Sequence, residues 1–416
     1  MTPAFTLLSV IWLSMMVFFI IIMLFVVMLL IAKAKLTTQG MVTLTINDDK
    51  QWQVAAGQTV LNSLSTLDIL LPSACGGKGT CGMCKCRVVE GGGSILPSET
   101  IFFNRKERLN NWRLACQTKV QENVSIEIPP EVMEIKKWVC EVISNRNVAA
   151  FIKECIIKLP QQERLDFRAG AYIQIYVPKV SINYSDIAID EPYKSEWTQM
   201  GMWDLQMTNR EETYRVYSMA NYPGEGETVT LNVRIAAPPI TKLNNFKKVN
   251  PGICSSFIFS RKAGDKVIIS GPYGEFYVKG QAKELMFIGG GAGMAPLRSQ
   301  IFDLLITRQY ISKVSYWYGA RSKIEIYYEE DFRNLEKQYQ NFRFEIALSE
   351  PKGDDNWSGH CGFISDVIYK EYLSKHEEPE EIEYYICGPP KMHEATMAML
   401  YNLGVPDSNI SFDEFS

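Results

Sequence analysis

Met1 to Ala32 carries no charged side chain, and its heart from Phe5 to Ile31 is built from Leu, Ile, Val, Phe and Met. A helix needs about 20 apolar residues to cross a hydrocarbon core of about 30 Å, so this run is long enough to cross with some tilt. A cleaved signal peptide fits less well. No positive segment precedes the run, which is longer than the usual apolar region of about 7–15 residues, although Ala32-Lys33-Ala34 mimics a cleavage site. Lys33 and Lys35 follow the run and nothing positive precedes it. The excess of positive charge on the cytoplasmic flank of membrane helices then puts the N-terminus outside and the remainder of the chain in the cytoplasm. The expected helix holds no ionisable residue, so it offers no ion or proton path of its own.

The rest of the 416 residues is long enough for several domains. Lys plus Arg number 43 against 47 Asp plus Glu, a net charge of -4, so no basic excess exists to neutralise phosphates and nucleic acid is not an expected partner. Three His make a His-rich metal site improbable on composition, whereas the ten Cys are clustered.

Those cysteines are the next constraint. Met41–Ile46 and Gln51–Val54 alternate around a polar turn and predict a hairpin, and Thr59–Leu70 has helical spacing. Cys75, Cys81 and Cys84 then follow in a C-x5-C-x2-C pattern, and thirty-one residues separate Cys84 from Cys116. Four thiolates supply two ligands to each iron of a [2Fe–2S] cluster. Gly76, Gly77, Gly79 and Gly82 permit the left-handed turns that wrapping a cluster requires. A zinc ribbon would want two C-x2-C pairs and only one is present. A disulfide framework suits an oxidising compartment, not the cytoplasm. Cys86 stays open as a ligand, because positions 84 and 86 of a strand share a face. The stretch resembles ferredoxin domains of the β-grasp type with five residues between the first two ligands; the resemblance favours Cys84 and leaves Cys86 as a packed thiol.

From residue 131 onward, short alternating runs at Trp138–Ile143, Phe151–Leu159, Gly170–Val177, Val229–Ile235 and Lys266–Ser270 predict an antiparallel barrel. A polar stretch from Ser181 to Glu212, holding Trp197 and Trp203, interrupts it and reads as a functional or interaction segment. Beyond residue 281 the pattern changes. Glu284–Ile288 is a buried-type strand, followed by Gly289-Gly290-Gly291-Ala292-Gly293 and Pro296, with a helix expected over Ser299–Thr307. Strand, Gly-rich turn and helix form a phosphate cradle, although the spacing is not the G-x-G-x-x-G of dinucleotide-binding dehydrogenases. Further strands at Val314–Tyr318, Phe342–Leu348 and Tyr384–Cys387 alternate with helices and predict a parallel sheet.

Arg215-Val216-Tyr217-Ser218, then Gly252-Ile253-Cys254-Ser255-Ser256, the Gly289–Pro296 turn and Cys387-Gly388-Pro389 are similar, in order, to motifs of the ferredoxin–NADP reductase superfamily. The resemblance implies that Arg215 binds the pyrophosphate of FAD, Tyr217 packs on the flavin and Ser218 bonds its reactive edge. It implies that Gly252, Cys254, Ser255 and Ser256 open a helix toward the diphosphate, and that Cys387 lies beside the hydride path. It also implies that a terminal aromatic, here Phe415, covers the flavin until nicotinamide displaces it, with Glu414 facing the same pocket. Arg321 and Lys323 follow the second strand with Glu325, Glu329, Glu330 and Asp331 close behind; that acidity disfavours a 2′-phosphate, so NADH is expected and Arg321 is assigned to its site.

The expected order is thus a membrane helix and its exit (1–34), a [2Fe–2S] domain (35–130), an FAD-binding β-barrel (131–280) and an α/β NADH domain (281–416). The whole chain resembles the NADH-oxidising subunits of bacterial sodium-pumping NADH:quinone reductases. That resemblance implies an inner-membrane complex in which electrons enter here, with quinone reached through other membrane subunits. A membrane-bound reductase component of an oxygenase is the rival enzyme reading, and a tethered ferredoxin-like carrier without catalysis is the rival of another class.

Overall fold

A computed structural model describes residues 3–36, 40–241, 246–353 and 355–414. The N-terminal helix, Pro3–Leu36, contains a stretch, Val10–Ile31, that is apolar and long enough to cross a membrane. Its described side chains are all exposed, as in Phe18 and Met28, so their apolar surface needs lipid or another apolar partner.

The chain divides into two compact units, Met1–Ser73 with Gly77–Glu134, and Ile135–Ser416 with the short stretch Ala74–Gly76. In the first, the predicted hairpin forms from Met41–Ile46 and Lys50–Ala55. It belongs to a five-stranded mixed sheet in which Met41–Ile46 runs parallel to Val124–Glu127. The helix is shorter than its apolar spacing suggested, Val60–Thr66, capped by the Thr59 side chain at its start. Val60, Leu61 and Leu64 are buried, and the chain turns at Asp68, whose φ is +57°.

The second unit holds two sheets. The first has six antiparallel strands in the order Thr213–Ser218, Tyr172–Val177, Lys266–Tyr273, Lys136–Ala149, Ile152–Lys158 and Thr228–Arg234. A bridge between Met219 and Leu231 joins the first strand's end to the last, closing the sheet into a barrel. Every expected strand is present. The 181–212 segment is not a polar surface loop: Tyr184, Trp197, Met202 and Met207 are buried within the barrel's own core cluster. Its hydrophilic composition misled because a few large apolar residues carry the packing.

The second sheet has six parallel strands, with Glu284–Gly290 buried along its whole length between Lys313–Ala320 and Glu383–Gly388. Burial on both faces is what a parallel sheet covered by helices produces. Its edge strand Ile410–Glu414 was not foreseen. The helix after the Gly-rich turn spans Met294–Phe302, starting five residues earlier than expected. Pro296 does not delay it, because a proline in the first turn removes an N–H that has no helical partner anyway.

Candidate functional site: a four-cysteine set and a flavin–nicotinamide junction

In the cluster domain, Gly76, Gly77, Gly79 and Gly82 all adopt positive φ, between +66° and +83°. The loop's turns are therefore open to glycine at little cost and to other residues only with strain. Gly77 N–H donates to the buried Ser73 hydroxyl at 3.1 Å, and Ala115 N–H donates to the Cys84 carbonyl at 2.8 Å. The second bond joins the segments that carry Cys84 and Cys116. The Cys84 thiol makes a hydrogen bond with Cys116; this bond, burial and the neighbouring Cys116 and Cys81 all push its pKa well above the ordinary thiol range. Thiols so close favour two thiolates only with cationic charge between them, which is what a coordinating metal supplies. Cys75 and Cys116 are buried and Cys81 is half-buried, and no described cysteine is in a disulfide. Among the described residues no three His, Cys, Asp or Glu groups converge as a single ion would need. A centre with two thiolates on each of two irons does not require that convergence. The donor set therefore fits a [2Fe–2S] cluster.

Sequence reasoning missed two supports. Gln117 Nε2 donates to Cys116 Sγ at 3.7 Å, a bond to a candidate ligand sulfur of the kind that tunes a metal centre. Arg113 and Glu99 form a buried ion pair at 2.9 Å, and Glu99 Oε1 also accepts the Leu114 N–H at 2.8 Å, two residues before Cys116. Cys86 is fully buried opposite Arg113 in the strand register, with burial pushing its thiol to about 12. That is the environment of a packed thiol.

In the second unit, Arg215, Tyr217 and Ser218 lie on one barrel strand. Arg215 NH1 donates to the Tyr214 carbonyl at 2.6 Å and to Thr213 Oγ1 at 3.2 Å. Tyr217 sits beside Cys254, the second residue of the helix Ile253–Ser260, which Gly252 caps. Burial raises both the Tyr217 phenol and the Cys254 thiol, so both are neutral at physiological pH. The hydroxyls of Ser255 and Ser256 do not face outward: both donate to the Gly252 carbonyl, at 3.1 and 2.6 Å. What the helix start offers an anion is its backbone, because the first N–H groups of any helix lack helical partners. An arginine beside such a terminus fits a diphosphate.

Ser218 is 8% exposed, and its Oγ donates to Asp413 Oδ2 at 3.2 Å. Asp413 stands opposite Cys387 in the sheet register. Burial pushes the Asp413 carboxyl up to about 6 against the opposing Ser218 hydrogen bond. Cys387 is fully buried, and burial, then the Asp413 charge, raise its thiol, so it stays protonated. The structure thus brings the acid Asp413 to Ser218. Glu414 is described only as the last backbone position of its strand, and Phe415 lies outside the described residues. No local pattern could have found Asp413, which meets Ser218 across 195 residues.

The Gly-rich turn abuts this junction. A Cβ on Gly293 would lie 2.0 Å from the Cys387 carbonyl, so only glycine lets the turn approach the end of the Cys387 strand. Gly289 and Gly290 end the strand, and Gly291 takes φ +55° before Ala292 and Gly293 lead into the helix. The hydroxyls of Tyr318 and Tyr327 both donate to the Gly291 carbonyl, at 3.3 and 2.9 Å, which fixes the turn. Gly388 closes the Cys387 strand, and Pro389 caps the helix that Pro390 starts. Pro296 is buried in the first helical turn. Arg298, also missed, donates to Glu225 and to the Ala220 carbonyl, tying this helix to the loop after Ser218. Arg321 follows the second strand and is paired with Glu325 four residues on.

Residues 44–121 match the family model for the 2Fe-2S iron-sulfur cluster binding domain, and residues 287–398 match that for the oxidoreductase NAD-binding domain. Among solved structures, the fold is similar to the Amycolatopsis cytochrome P450 reductase GcoB, with a TM-score of 0.61 and 22% identity over 90% of this chain and 98% of that one. It is also similar to the ferredoxin reductase in carbazole 1,9a-dioxygenase, with a TM-score of 0.57 and 23% identity over 91% of this chain and 99% of that one. Fold and site together define an iron–sulfur reductase with a nicotinamide-nucleotide domain. The F subunit of the Na(+)-translocating NADH-quinone reductase of Psychrobacter arcticus is 48% identical over 388 residues, 93% of this chain and 94% of that protein. Its counterpart in Yersinia enterocolitica is 48% identical with the same coverage. The chain belongs to the family of these Na(+)-translocating NADH-quinone reductase F subunits.

Proposed function

We propose that this chain is the electron-entry subunit of a sodium-pumping NADH:quinone oxidoreductase, anchored in the bacterial inner membrane by its N-terminal helix with the remaining domains in the cytoplasm. FAD, when bound, would supply the acceptor for a hydride from NADH, and a [2Fe–2S] cluster would supply a one-electron carrier toward partner membrane subunits and eventually quinone. The carrying observation is the meeting of Ser218, Asp413 and Cys387 where the barrel strand joins the parallel sheet's C-terminal edge. Ligands bind at that edge in open α/β sheets.

In this reading Cys75, Cys81, Cys84 and Cys116 hold the irons. Arg215 and the amides after Gly252 hold the flavin diphosphate, and Tyr217 lies against its ring. The turn from Gly289 to Gly293 receives the nicotinamide nucleotide's phosphates. Ser218 and Asp413 share a proton at the flavin edge, and Cys387 fixes the nicotinamide face. Hydride transfer needs aligned rings more than a strong acid or base, so these groups orient the reactants and exclude water. NADH is favoured over NADPH because Glu325 occupies the guanidinium of Arg321, the cation placed to meet a 2′-phosphate. Burial alone would raise the Glu325 carboxyl, but Arg321 outweighs it and holds it below its usual range.

The test is an anaerobic titration of the purified full-length protein with NADH. Flavin absorbance should bleach and a reduced-cluster EPR signal should follow. A protein that carries both chromophores and stays oxidised would overturn the reading.

A further inference from the structure

The 181–212 segment has no part in the reading above, yet it is packed against the helix that serves as the flavin cradle. We propose that this insertion is a buttress for the FAD-diphosphate helix, with Tyr184 a positioning residue that acts through Ser256 and Gly252.

The strands Val180–Asn183 and Gln206–Asn209 pair as a ribbon. From their junction Tyr184, fully buried, reaches Ser256 with an Oη–Oγ distance of 2.8 Å. The one proton of Ser256 goes to the Gly252 carbonyl at 2.6 Å, so Tyr184 is the donor. The result is a directed chain: Tyr184 O–H to Ser256 O–H to Gly252 C=O. It ends on the residue that caps Ile253–Ser260. Burial raises the Tyr184 phenol to about 12, against the Ser256 bond, so the donor proton is retained across the working pH range.

The helix is held at its other end as well. Lys153 is 1% exposed, and its Nζ donates to the Phe259 carbonyl in the last turn at 3.1 Å and to the insertion's Ala188 carbonyl at 2.7 Å. A cation at a helix C-terminus also opposes the negative end of the helix dipole. Trp197 stacks on Phe259 with centroids 6.0 Å apart and anchors its indole N–H on the Ala150 carbonyl at 2.8 Å. The insertion therefore grips the helix at both termini. Because the amides after Gly252 can serve a diphosphate only if their direction is fixed, loosening the buttress weakens FAD binding without removing any group that touches FAD.

This inference rests on the proposed FAD site, and the experiment separates the two. Full-length protein is deflavinated and titrated with FAD, with cluster absorbance as the measure of an intact fold. Amide hydrogen exchange is followed over residues 252–260. Tyr184→Phe should raise the FAD dissociation constant about fivefold and speed exchange at 253–256, with the cluster spectrum unchanged. In a Ser256→Ala background the same substitution should add nothing, since the chain is already cut. Fully additive effects, or an unchanged FAD affinity in Tyr184→Phe, overturn the proposal. If Tyr184→Phe does not accumulate, Lys153→Met reads the helix from its far end: weaker FAD binding supports the buttress, and unaltered binding and exchange overturn it. Arg215→Ala is the control for the site. FAD lost there but kept in Tyr184→Phe defeats only the buttress, whereas FAD kept in Arg215→Ala defeats the site reading itself.

Discussion

In the cluster domain the chemically active groups are side chains, three of them delivered by one loop whose glycines set its turns. In the site proposed for the reductase unit the donors are largely backbone amides at the starts of Ile253–Ser260 and Met294–Phe302, and the Ser218 and Asp413 side chains that meet come from distant strands. The difference follows from what each ligand asks for. Iron takes thiolate sulfur, which only a side chain supplies, whereas a diphosphate takes N–H groups, which any helix start supplies. Damage should therefore be sharp in the first region and graded in the second.

The largest effect is expected at the thiols. Cys84→Ala should abolish the brown cluster absorbance and the bound iron, while Cys86→Ala, which removes a packed thiol, should keep both. Iron analysis of the two variants decides it; cluster retention in Cys84→Ala would break the contrast at its strongest point. Next comes Arg215, the side-chain cation proposed to hold the diphosphate. Arg215→Ala should weaken FAD binding by about 10- to 100-fold and leave the cluster spectrum intact. Equilibrium dialysis against FAD measures it. A loss of flavin no greater than a few-fold would mean that the amides alone carry the site.

The same difference explains what was legible in the sequence. Cys75, Cys81 and Cys84 announce themselves by spacing, and the φ values of their glycines match the expectation drawn from composition. Strand positions in both sheets could be read because alternation and buried runs follow from which faces are covered. Asp413 could not be read. Its place beside Cys387 depends on an edge strand docking there, a tertiary event with no local signature. Tyr184 and Trp197 were hidden similarly: in a stretch that is polar on average, the burial of single aromatics is decided by the partner surface. The inward bonding of Ser255 and Ser256 to the Gly252 carbonyl was not legible either, because serines near a helix start bond their own backbone whatever their sequence neighbours.

Glu325 sharpens the comparison from the other side, since it assigns a side chain a selective role in the reductase unit. Releasing Arg321 by Glu325→Gln should improve kcat/KM for NADPH by about tenfold while changing that for NADH little. Steady-state reduction of ferricyanide with each nucleotide measures the ratio. An unaltered ratio would leave nucleotide choice to the backbone cradle.

The smallest expected effect is at Asp413, and its sign is fixed by the direction of its shift. Its carboxyl titrates near 6 in the folded protein because burial penalises the charged form, and near 3.9 in the unfolded chain. The folded state therefore binds the proton more tightly, and stability falls as pH rises from about 4 to about 6. Above that window the buried charge is a standing cost, only partly offset by the Ser218 hydroxyl. Asp413→Asn removes the charge and keeps the shape. It should raise the melting temperature by about 2–4 °C at pH 8 and leave it unchanged near pH 4, where the native residue is already protonated. The same substitution should flatten any inflection near pH 6 in the rate of flavin reduction by NADH, followed by stopped flow under anaerobic conditions. A variant less stable than the native protein at pH 8 would show that the Ser218–Asp413 bond outweighs desolvation. The junction would then resemble the cluster domain, where specific side chains hold the site together.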